Sequence, residues 1–162
     1  MTTFQFPEPT PEELQHEAEM ILLAEFTGAK LGNYRQLQTI QNSSNESYWD
    51  WEEAPNSYLF ENFADSAGND VFYPHQMLFK EDWNWLMKVI DKIEEVEYPN
   101  YPQYHARVEI GSSSTQIDWG ANTLGISGSF LSSVGNKLER TYKVCVKFLQ
   151  WYKENNSNQE KK

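Results

Sequence analysis

The sequence predicts an α+β domain, a compact α/β sandwich in which three main helices pack on a small, mainly antiparallel sheet. Three observations predict it. Three segments carry apolar residues at three- and four-residue steps, residues 106–119 alternate apolar with polar residues, and 162 residues suit one domain better than two. Hydrophobic residues make up 39% and aromatic residues 15% of the chain, enough to fold around an aromatic core, and the single cysteine, Cys145, offers no disulfide framework. The domain is expected over residues 1–155, with a polar, frayed tail at 156–162.

The first helix is expected over 11–27. Thr10 and Glu13 match a capping box, Pro11 sits where its missing N–H does no harm, and Gly28 is suited to a left-handed close. Its apolar stripe is read as Leu14, Ala18, Ile21, Leu22 and Phe26. From 33 to 79 the pattern weakens into a long irregular segment of short β-prone pieces (34–40, 48–51, 58–60 and 71–73) separated by Asn, Ser, Gly and Pro. One or two edge strands or a functional insertion would account for it, and aromatics such as Trp49, Trp51, Phe60, Phe63 and Phe72 argue that much of it is packed down.

A second helix is expected from Lys80-Glu81-Asp82 to about Val96, with Trp83, Leu86, Met87, Ile90 and Ile93 inward and Pro99 and Pro102 beyond its end. Ala106, Val108 and Ile110, a Gly111–Ser114 turn, then Ile117 and Trp119 read as a hairpin with one buried face, followed by a strand near Thr123–Ile126. The last helix is expected to start after Ser132 or Ser133 and to bury Val134, Leu138, Thr141, Tyr142, Cys145, Phe148, Leu149 and Tyr152.

The net charge of −11 disfavours an unassisted phosphate-backbone binder, so no direct nucleic-acid partner is expected, and no anionic membrane surface either. The charge is polarised: residues 1–100 hold nineteen acids against five bases, residues 101–162 five acids against eight bases. Lys137, Arg140, Lys143, Lys147 and Lys153 on the last helix read as a solvated basic face that complements the acidic remainder. No signal-peptide pattern opens the chain, and its longest apolar run, Met20–Ala24, is far too short to span a bilayer, so a cytoplasmic location is expected.

Chemistry is hard to find. His16, His75 and His105 are isolated from one another, no zinc-ligand spacing occurs, and Cys145 falls on a buried stripe without a paired base. Gly125–Ser129 lacks the last glycine of a nucleophile elbow, and Gly111–Thr115 lacks the lysine of a phosphate loop. No catalytic residue, metal ligand or cofactor is assigned. The unusual segment is Tyr48-Trp49-Asp50-Trp51-Glu52-Glu53: if extended, it places both Trp on one face and Asp50 and Glu52 on the other. Such a face would stack a base, a sugar or a cationic ligand; a core-covering strand with its acids in water is the commoner use of such a stripe. Trp83 and Trp85 carry the same ambiguity.

Three packing segments resemble one family: Ala24-Glu25-Phe26-Thr27-Gly28, the run from Trp83 to Glu94, and Asn136 to Tyr142 leading into Phe148–Tyr152. They are similar to small uncharacterised proteins of Bacteroidetes genomes and their phages, related to the phage ABA sandwich domain. The resemblance covers the helices and hairpin, leaves Tyr48–Glu53 unaligned, and implies a compact α/β sandwich encoded by phage or mobile-element DNA. It carries no catalytic residues. The expectation is therefore a non-enzymatic accessory protein that binds a protein or small molecule through Tyr48, Trp49, Asp50, Trp51, Glu52 and Glu53 with Trp83 and Trp85 nearby. The alternatives are a metal- or carboxylate-dependent enzyme and a structural or virion-associated homo-oligomer.

Overall fold

A computed structural model describes residues 8–65, 68–98, 101–119 and 128–157. It is an α+β fold of three helices, as the periodicities predict, but with two antiparallel three-stranded sheets in place of the single small sheet expected. The strand expected at 123–126 lies outside the described residues.

Helix α1 (Pro11–Phe26) opens on the capping box: the Glu13 N–H donates to Thr10 Oγ1 at 3.2 Å, and the Thr10 N–H donates to Glu13 Oε2 at 2.7 Å. Gly28 follows the helix at φ +89°, a left-handed conformation that suits glycine. The buried face differs from the expected stripe. Met20, Leu23 and Ala24 are fully buried, while Leu14 and Ala18 face solvent. Met20–Ala24 is apolar all round the helix, so spacing alone did not select the inward side.

The segment expected to be irregular is mostly one long hairpin. Strands β1 (Lys30–Gln41) and β2 (Ser47–Leu59) pair from Lys30↔Leu59 to Gln41↔Ser47, and the short β3 (Val71–Phe72) joins β2 at its base. Asn42 Oδ1 organises the turn by accepting from the N–H groups of Ser44 and Glu46 at 3.0 and 2.9 Å, with Asn45 left-handed at φ 64°. Within the hairpin one defect interrupts the ladder: the register shifts between Gly32 and Tyr34, Asn56 is at φ 54°, and its N–H donates to Asn33 Oδ1 at 3.1 Å.

Helix α2 (Trp83–Glu94) is capped by Asp82, whose Oδ1 accepts from the Asn84 N–H at 2.7 Å. It buries Trp85, Leu86, Val89, Ile90 and Ile93; Trp83 and Met87, expected inward, are 36% and 40% exposed. The helix is turned so that the 85/89 row, not the 83/87 row, joins the core. A short antiparallel pair not anticipated from sequence, β4 (Glu97–Tyr98) and β5 (Tyr101–His105), follows.

The second sheet contains the expected hairpin, β6 (Arg107–Ile110) and β7 (Thr115–Trp119), extended by β8 (Gly128–Ser132). Thr115, Ile117 and Trp119 point into the core, and Arg107, Glu109, Gln116 and Asp118 form the polar outer face. Helix α3 (Lys137–Ser157) crosses the inner face, with Phe148 edge-on to Phe130 at 5.7 Å, Trp151 edge-on to Trp119 at 5.1 Å, and Thr141 sharing a buried hydroxyl hydrogen bond of 3.0 Å with Thr115. Its cap is Asn136, which accepts from the Glu139 N–H at 2.9 Å; Ser132 is the end of β8, and Val134 is exposed. The helix reaches Ser157, so residues 156 and 157 of the expected tail are helical. Helices α1 and α3 pack together, with Tyr142 Oη donating to Glu19 and Phe26 edge-on to Tyr152 at 6.3 Å.

Candidate binding surface

Among the described residues, the hairpin of β1 and β2 is buried only in its proximal half. Gln36 is buried, its amide donating to Val71 O at 2.7 Å and Gln76 Oε1 at 2.6 Å, and Ala54 is fully buried close by. Beyond these two positions, every residue from Gln38 to Glu53 is exposed except Ile40, which is half-buried.

On this distal ribbon the register sorts side chains into two faces. Leu37 opposes Trp51 and Thr39 opposes Trp49, placing all four on one face; Gln36 opposes Glu52, Gln38 opposes Asp50 and Ile40 opposes Tyr48 on the other. The expected separation of the Trp pair from Asp50 and Glu52 is therefore present. A core-covering role for the Trp pair is not: Trp49 and Trp51 are 61% and 44% exposed, and Tyr48 47%. Trp49 and Trp51 thus present an exposed aromatic patch on one face of the ribbon.

Polar contacts hold the backbone beneath them. Arg35 Nη2 donates to Trp51 O at 2.7 Å, and the Trp51 N–H donates to Asp50 Oδ1 at 2.8 Å. Glu53, opposite Arg35, shares the Trp face. Leu37, Thr39 and Arg35 were missed in the sequence. Pairing backward from the Asn42–Glu46 turn would have found them, since that turn fixes Leu37 opposite Trp51.

The other two expected residues lie elsewhere. Trp85 is 5% exposed, with ring centroids of Phe63 at 4.4 Å, Phe72 at 4.8 Å, Phe79 at 5.1 Å and Phe60 at 5.5 Å around it, all near edge-on. It is core, and only its edge meets an open pocket of about 390 Å³ rimmed by Lys88, Asp91 and Lys92. Trp83, at the start of α2, is partly exposed but belongs to that helix rather than to the ribbon. The joint surface expected from Tyr48–Glu53 with Trp85 therefore reduces to the ribbon.

Burial pushes the Cys145 thiol up to about 12, which leaves it protonated and unreactive near neutral pH. Arg140 does not belong to a solvated basic face: it is buried and donates to the carbonyls of Gly135 at 2.8 Å and Ser112 at 3.1 Å, tying the start of α3 to the β6–β7 turn. Among the described residues no group of three His, Cys, Asp or Glu side chains is placed to hold a metal ion, and no helix is long and apolar enough to cross a membrane. Comparison of the chain with protein-family models, curated proteins and solved structures returns no match.

Proposed function

We propose that this chain is a binding protein rather than an enzyme, an accessory protein of phage or mobile-element type acting in the cytoplasm, and that it docks a protein partner on the distal ribbon. The observation that carries this reading is the pair of exposed indoles, Trp49 and Trp51, on one face of a strand paired residue by residue with β1. Rigid aromatic side chains of this kind are the commonest anchors of protein interfaces, because they bring large contact area with little rotamer entropy to lose. Glu46, Asp50, Glu52 and Glu53 on the same strand or its turn, in a chain of net charge −11, favour a partner surface rich in lysine and arginine. On the Trp face Glu53 lies beside the indoles and would draw such a cation over them, whereas Asp50 and Glu52 face the other side.

The test is binding of an arginine-containing extended peptide to the immobilised chain and to its Trp49→Ala/Trp51→Ala variant. Two exposed cation–π contacts of ~0.5–1 kcal/mol each predict roughly five- to thirtyfold weaker binding by the variant. Equal affinity, with the circular dichroism of the variant unchanged, removes the ribbon as the docking site.

A further inference from the structure

The two edges of the ribbon are guarded differently. β2 carries Asp50, Glu52, Glu53 and Pro55 along its length, the charges and proline that keep an edge from pairing. β1 from Gln36 to Gln41 reads Gln-Leu-Gln-Thr-Ile-Gln, with no charge, no proline and no glycine. Its protective features, Lys30, the register shift at Gly32–Tyr34 and Arg35, all precede that run. Among the described residues no strand pairs with the outer edge of β1, and Gln38, Thr39 and Gln41 are exposed. A six-residue uncharged stretch of this kind is a template for another strand.

We infer that the outer edge of β1 pairs antiparallel with β1 of a second copy of this chain, joining two ribbons into a four-stranded sheet. A twofold axis normal to the sheet keeps each copy's Trp face on the same side, so only residues of equal parity meet. Two registers keep the uncharged run together. Centred on Gln38, Gln36 meets Ile40 and Leu37 meets Thr39 of the other copy; centred on Thr39, Leu37 meets Gln41 and Gln38 meets Ile40. In both, Leu37 and Thr39 of the two copies lie between the two Trp49/Trp51 pairs and complete one apolar face.

The acids select this edge. With β1 inside, the two β2 strands lie three strand spacings apart, about 14 Å, beyond the ~8 Å screening length at physiological salt. Pairing through β2 instead would bring Asp50, Glu52 and Glu53 of both copies to a single spacing of about 4.8 Å. The association is independent of the docking reading, since it uses the backbone edge of β1 and leaves the Trp face open.

The test is sedimentation equilibrium of the purified chain across a concentration series, beside Gln38→Lys/Thr39→Lys and each single variant. The parent is expected to populate a species of twice 19.0 kDa as concentration rises. The double variant sets lysine against lysine in either register and is expected to associate at least about tenfold more weakly. Gln38 faces Asp50 of its own hairpin, so the lysine there is compatible with the fold, which circular dichroism checks; if the double variant unfolds, the two single variants are read together, since each closes only the register centred on its own position. A parent that stays at 19.0 kDa at every concentration, or a dimer that folded lysine variants do not weaken, overturns the proposal. Trp49→Ala/Trp51→Ala is expected to self-associate as the parent does, so loss of partner docking and loss of this edge are read separately.

Discussion

Replacing Trp85 by alanine distinguishes a core indole from a surface one on the same chain. Trp85 is 5% exposed and touches the rings of Phe60, Phe63, Phe72 and Phe79, the first two from the loop that follows β2, the third from β3 and the last from the segment before α2. An indole removes roughly 150–250 Å² from water, and at ~25 cal/mol per Å² that corresponds to about 4–6 kcal/mol as an upper bound. Trp→Ala changes in cores cost about 3–5 kcal/mol once partial collapse of the cavity is included, and we expect Trp85→Ala in that range. For a chain of this size the melting temperature falls by roughly 2–4 °C per kcal/mol, so the drop should be about 6–20 °C. Trp49→Ala, at a position 61% exposed, should cost about 1 kcal/mol or less. Urea unfolding followed by far-ultraviolet circular dichroism gives both values, provided the denaturant slopes agree. If Trp85→Ala costs no more than Trp49→Ala, the division into core and presented indoles is wrong.

Further outcomes follow from other buried groups. Gln36→Ala should destabilise by about 1–3 kcal/mol, because the Gln76 amide and the Val71 carbonyl lose a buried partner; hydrogen exchange should show loosening concentrated in β1 and β2. Tyr142 has its hydroxyl pKa raised, chiefly by burial and also by its hydrogen bond to Glu19. The proton binds more tightly in the folded chain, so stability is full below the unfolded tyrosine value of 10.0 and declines as pH rises above it. Tyr142→Phe should flatten that alkaline decline in melting temperature; an identical decline would assign it to other groups. Cys145, fully buried with its thiol pushed up to about 12, should react with a chromogenic disulfide reagent only at the rate of unfolding. Prompt stoichiometric labelling of the native chain would place it elsewhere.

The sequence was most informative where one physical rule acted alone. Thr10, Pro11 and Glu13 are local signals, complete within four residues, and α1 starts where they place it. The 106–119 alternation marks β6 and β7 because one face is core and the other water. Spacing failed where both sides of an element are apolar, as at Met20–Ala24, or where amphipathic tryptophan obscures the inward row, as at Trp83 and Trp85. The long hairpin was hidden for the opposite reason: over Gln38–Glu53 neither face is core, so no hydrophobic alternation marks a strand. What defines it is the turn chemistry of Asn42 and Asn45 and the defect shared by Asn33 and Asn56, which are legible only as a pair once the chain is folded. The Trp pair and its acids were legible as a two-faced strand; their partners on β1 were not, because cross-strand neighbours are set by register.

The packing of α1 against α3 constrains the order in which the fold assembles. Tyr142 and Glu19 are 123 residues apart, whereas each of the main hairpins closes within a short loop. Closing a loop of that length costs about 4 kcal/mol of chain entropy, on (3/2)RT ln n, before the two helices gain any contact. The hairpins are therefore expected to form first and the helix pair to close last, in one cooperative step that also seats Tyr142 and Tyr152 against α1. Until that step Phe26 and the face of α3 that carries Tyr142 and Tyr152 lack their partners, so the last phase of folding is also the one most exposed to aggregation.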